Sequence, residues 1–95
     1  MNTNINFVNA EGEYRENIIK KLSENLKVLR VATGMKQAEF AEIIGVTRAS
    51  MSNWERGSKL SWTVALAILI ILLQFERCIA VINAYGILED EREGE

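Results

Sequence analysis

The chain has 95 residues, 48% of them apolar and 25% charged, with no proline, no histidine and a single cysteine, Cys78. That suits one small, helix-rich globular domain and excludes a disordered chain, a disulfide within the chain and a zinc site. The net charge of −2 hides a polarity: residues 15–60 carry nine Lys/Arg against five Asp/Glu, net +4, while the remainder is net −6.

A basic centre between acidic ends is a surface for a phosphate-bearing partner. The lone cysteine fits a reducing compartment, and residues 1–13 lack the basic start and apolar core of a secretion signal, so a cytoplasmic protein is expected. Without histidine there is no positioned base, nucleophile or metal cluster, so we expect no enzymatic activity, no cofactor and no metal.

Residues 1–12, MNTNINFVNAEG, are rich in asparagine and read as a flexible arm, with Ile5, Phe7 and Val8 available to dock. From Glu13 the pattern turns helical. Ile18, Ile19, Leu22, Leu26 and Leu29 recur every three or four residues, with Arg15, Lys20, Lys21, Glu24 and Lys27 mostly between them. One amphipathic helix is expected to end near Thr33, with Gly34 as its cap. Gln37 to Ile44 and Thr47 to Glu55 read as two further short helices, separated at Gly45 and closed by Gly57.

The segment WTVALAILIILL, residues 62–73, is apolar almost all round. Its uninterrupted part, Val64–Leu73, is ten residues, where a membrane span needs about 20. No membrane crossing is expected. A helix apolar on every side is covered on every side. Phe75, Cys78, Ile79, Ile82, Tyr85, Ile87 and Leu88 then form a further stripe before the acidic tail EDEREGE. This is more apolar surface than a chain of this size hides alone, so a homodimer is expected through residues around 62–88. Its interface would use Trp62, Ile70, Phe75, Cys78, Ile79, Ile82 and Tyr85. The expected architecture is all-α, a small bundle of about five helices. An arm (1–12) precedes a domain (13–73), which is followed by a dimerising helix (74–88) and a tail (89–95).

The stretch QAEFAEIIGVTRASMSNWERG, residues 37–57, carries the functional signal. Two helices joined by a tight turn need a small side chain where they cross, which Ala41 supplies. They also need a residue tolerant of positive φ at the reversal, which Gly45 supplies. Val46 plugs the junction, and Phe40, Ile44, Met51 and Trp54 close a small core.

This set of positions, followed by WERG, resembles the helix-turn-helix of the phage repressor/Cro-like family of bacterial regulators; LKVLRVATGMKQ before it is similar to that family's first helix and the approach to its second. The resemblance covers roughly residues 26–73 and implies that the partner is double-stranded DNA, with no small-molecule ligand. The second helix of such a motif enters the major groove with its N-terminal end leading. Arg48, Ala49, Ser52 and Asn53 lie on its outward face. Arg48 can fork onto guanine O6 and N7, Asn53 can pair with adenine N6 and N7, and Ala49 can meet a thymine methyl. The positions of Arg48, Ala49 and Asn53 match the family's principal base-reading positions.

Phosphate contacts are assigned to Lys36, Gln37, Thr47, Ser50, Ser58 and Lys59, with Thr47 also the N-cap of its helix. The amide of Gln37 matches a phosphate-clamping position of the family. Arg30 and Glu55 correspond to a pair that joins the first and third helices in some members. The loop RGSKLSWT departs from the family pattern, lacking the extra basic residues and the proline often found there. The expected function is a sequence-specific regulator, a homodimeric repressor reading a palindrome. The alternative is an antitoxin-like or anti-repressor protein-binding module on the same fold.

Overall fold

The computed structural model describes the backbone of residues 3–89 and the side chains of residues 12–89. The tail from Asp90 onward and the side chains of Ile5, Phe7 and Val8 lie outside the described residues. Among those described there are six helices and no strand: α1 (Thr3–Glu24), α2 (Leu26–Thr33), α3 (Gln37–Ile44), α4 (Arg48–Glu55), α5 (Trp62–Leu72) and α6 (Glu76–Ala84). None is long and apolar enough to cross a membrane.

The single amphipathic helix expected up to Thr33 is two helices. They meet at Asn25, whose side-chain amide donates to the Lys21 carbonyl at 2.8 Å. Asparagine offers the backbone this local alternative, so it interrupts a helix that leucine periodicity alone would carry through. The other difference lies at the start. The helical backbone begins at Thr3 rather than Glu13, because extending a helix already nucleated by a packed segment costs far less than starting one.

Ile18, Ile19, Leu22, Leu26 and Leu29 are all buried and form one wall of the core. Phe40, Ala41 and Met51 from α3 and α4 join it, with Leu60 and the inner face of α5, which is Ala65, Ile68, Leu69 and Leu72. Helix α6 packs on α2, where the buried Cys78 thiol donates to the Leu29 carbonyl at 3.4 Å. Beyond α6 the chain turns back through Gly86 at φ 61°, which brings Ile87 into the core. The Tyr14 hydroxyl on α1 donates to the Leu88 carbonyl at 3.0 Å, and Lys21 Nζ donates to the Gly86 carbonyl at 3.1 Å. These bonds fasten the C-terminal turn to the first helix.

Two expected dimer residues are corrected here. Cys78 and Ile82 are buried inside the chain's own core, with essentially no surface left to give a second copy. The reason is that α6 turns its Cys78–Ile82 edge towards α2, while Ile79, off that edge, and Tyr85, just past the end of the helix, stay exposed. Trp62 and Phe75 are half-buried and packed against the core. On α5 the chain itself supplies only part of the expected cover. Leu66, Ile70 and Leu73 are exposed, Ile70 at 61%, because α6 docks on α2 and leaves the outer face of α5 without a neighbour.

Candidate nucleic-acid interface

Helices α3 and α4 pack against each other, and local chemistry dictates their join. Gly45 ends α3 at φ 92°, and its N–H donates to the Ala41 carbonyl at 2.8 Å. The next N–H, from Val46, donates to that same carbonyl at 2.9 Å. A side chain at Gly45 would be strained by this left-handed backbone rather than by crowding, since nothing lies within 4 Å of an added Cβ. At the other end of α3, Glu39 accepts from the Lys36 N–H at 2.8 Å, one half of a capping box. Thr47 caps α4: its hydroxyl oxygen accepts from the Ser50 N–H at 3.0 Å and its O–H donates to Ser50 Oγ, also at 3.0 Å.

The inward positions are as the spacing requires. Phe40, Ala41 and Met51 are buried, and Ile44, Val46 and Trp54 are half-buried against the core. Consequently the opposite face of α4 points away from the protein. Arg48, Ala49 and Asn53 are exposed and Ser52 is half-buried. These four side chains, with Arg56, line a shallow groove of about 290 Å³.

The orientation of α4 is set from behind by a small buried polar network. Arg30 on α2 donates to both oxygens of Glu55, from Nε at 2.5 Å and Nη2 at 3.2 Å, and Nη1 donates to the Met35 carbonyl at 2.8 Å. The two side chains are only 11% and 4% exposed. Burial pushes the Glu55 carboxyl up, but hydrogen bonds from Arg30 and Gln37 and the positive charges of Arg30 and Lys27 outweigh it, holding its pKa below the ordinary value. No buried side-chain nitrogen or oxygen among the described residues is left without a partner.

Gln37 joins this network: its amide Nε2 donates to Glu55 Oε1 at 2.9 Å, tying the start of α3 to the end of α4, and the second N–H of the half-buried amide is left for another acceptor. A nearly buried carboxylate needs every donor within reach. The remaining phosphate candidates lie on the rim. Lys36, Thr47, Ser58 and Lys59 are exposed and Ser50 is half-buried with its hydroxyl engaged by Thr47. Lys59 pairs with Glu16 of α1 at 3.0 Å, both side chains largely in solvent.

Arg56 is the residue that sequence reasoning left unassigned. It follows α4 directly, and its guanidinium folds back to Ser52 Oγ at 2.7 Å and Asn53 Oδ1 at 2.8 Å. The signal was present as spacing: Ser52, Asn53 and Arg56 stand three and four residues apart on one helical face.

Two short helices crossing at a small residue, turned through a glycine, with the second presenting an exposed polar face, define a helix-turn-helix. The family of helix-turn-helix domains matches residues 21–93, most of the chain, and the protein belongs to that family. No curated protein and no solved structure gives a significant match to it.

Proposed function

We propose that this protein is a sequence-specific, DNA-binding transcriptional regulator, a repressor that acts as a homodimer on a palindromic operator. The observation that carries the reading is the outward face of α4, with Arg48, Ala49, Ser52 and Asn53 gathered in solvent around one groove. Arg48 reads guanine through its fork, Ala49 meets a thymine methyl, and Ser52 and Asn53 address the neighbouring base edges. Lys36, Ser58 and Lys59 set the register by gripping phosphates, for which Lys59 exchanges the carboxylate of Glu16 for a phosphate oxygen. The exposed apolar stripe of Leu66, Ile70 and Leu73 on α5, with Ile79 of α6 and Tyr85 just after it also exposed, supports pairing of two copies. Two-fold pairing places the two recognition helices about 34 Å apart, one turn of duplex. Repression follows from occupying the operator, with no enzymatic step and no small-molecule ligand.

The same stripe favours a second reading, in which it receives a different protein and the fold serves as an interaction module. Selection of bound sites from random duplexes separates the two. A palindromic motif with a half-site spacing near one helical turn supports the regulator, and Arg48→Ala then loses affinity mainly for that motif. No enrichment, together with affinity indifferent to salt, refutes DNA as the partner, since neutralising phosphates releases counterions.

A further inference from the structure

The geometry points to Arg56 as a specificity-determining residue that turns Asn53 from an adenine reader into a reader of acceptor edges. This rests on the DNA-binding reading above. Arg56 is held in place by its backbone N–H, which donates to the carbonyls of Ser52 and Asn53 at 3.1 Å each. Its guanidinium then lies along the last turn of α4, Nη1 donating to Ser52 Oγ and Nη2 to Asn53 Oδ1. Both bonds are charge-assisted, and the planar fork suits two acceptors side by side.

The consequence follows from counting donors and acceptors. An asparagine amide has one acceptor oxygen and two N–H donors. Adenine presents a donor at N6 and an acceptor at N7 to the major groove, so pairing with it needs both ends of the amide. Here the oxygen already accepts from a cation, whose charge repels an approaching N6–H even at the oxygen's second lone pair. The N–H₂ end of Asn53 is therefore the end favoured for a base. Ser52 is biased likewise: its oxygen accepts from Arg56, so its own O–H is left to donate. Arg48 has donors only. The polar groups on this face of α4 are therefore biased to donate, and their fullest complement is the edge with two adjacent acceptors, guanine N7 and O6.

The test is site selection with the full chain and two variants. Asn53→Ala identifies the base pair that Asn53 faces, as the position whose preference disappears. At that pair the wild-type protein is expected to select G·C over A·T. Arg56→Met, which keeps length and removes the fork, is expected to swing the preference there towards adenine by roughly tenfold. Arg56 is exposed, so circular dichroism and the thermal midpoint should match wild type. Should the variant fail to fold, the wild-type preference at the Asn53 pair still decides. An A·T pair selected there by the wild type overturns the inference. So does an unchanged motif bound by Arg56→Met with uniformly lower affinity and a salt slope reduced by about one, the signature of a phosphate contact. If the wild type enriches no motif, the DNA reading itself fails, a different result from either.

Discussion

The two exposed faces of this molecule differ in kind. The outer face of α4 is polar, and its side chains are organised within the chain: Thr47 caps the helix, Arg56 bridges Ser52 and Asn53, and the Arg30–Glu55–Gln37 network holds the helix from behind. The outer face of α5 is apolar, and Leu66, Ile70 and Leu73 are exposed there among the described residues. A polar face is stable in water and can wait for its partner. An apolar one implies a partner from the moment of folding, because water is its only other neighbour. This comparison underlies the proposal that α4 recognises DNA and α5 pairs two copies.

The comparison breaks hardest at the network behind α4. Arg30→Ala leaves the Glu55 carboxylate nearly buried without its main partner and is expected to destabilise the fold by about 3–5 kcal/mol. Chemical denaturation measures it, and a loss below about 1 kcal/mol would mean that α4 is oriented by packing alone. The second effect, roughly 1–3 kcal/mol, is expected from Ala41→Leu, which inserts a branched side chain where α3 and α4 cross. Unchanged stability there would refute the close crossing.

The third prediction is a pH dependence. The folded-state pKa of Glu55 lies below its ordinary value of 4.5. Its stabilising contribution is therefore complete above that value and is lost as pH falls through the lower, folded one. Unfolding free energy should decline in this acid window, and Glu55→Gln should flatten the decline; an identical profile in the variant would exclude Glu55 as its source. The smallest effect on the single chain belongs to the assembly face. Ile70→Asp is expected to change the stability of an isolated protomer by no more than about 0.5 kcal/mol. The same change should convert the dimer to monomers in analytical ultracentrifugation. A dimer that survives it has its interface elsewhere.

Much of this could be read before any coordinates. The helix-turn-helix was legible because its constraints are local: a small residue at the crossing, a glycine at the reversal, a hydroxyl at the cap, and apolar positions at helical spacing. The outward placement of Arg48, Ala49 and Asn53 followed from the same periodicity, since fixing the inner face of an eight-residue helix fixes the outer one. The Arg30–Glu55 pair was legible only through family resemblance, for nothing in the spacing of two residues on different helices says that they touch.

What escaped the sequence was set by which helix covers which. Periodicity shows that α5 and α6 have apolar faces but not that α6 docks on α2, a choice that buries Cys78 and Ile82 and strands Ile70. The internal role of Gln37 escaped for a related reason: its amide answers to a carboxylate eighteen positions away that only the folded chain brings to 2.9 Å. Local steric and hydrogen-bonding rules act between neighbours in sequence, so the sequence by itself determined the helices, the turn and the reading face. Burial and charge pairing act between neighbours in space, so tertiary structure alone decided which apolar stripe is core, which is surface, and which polar groups remain for a partner.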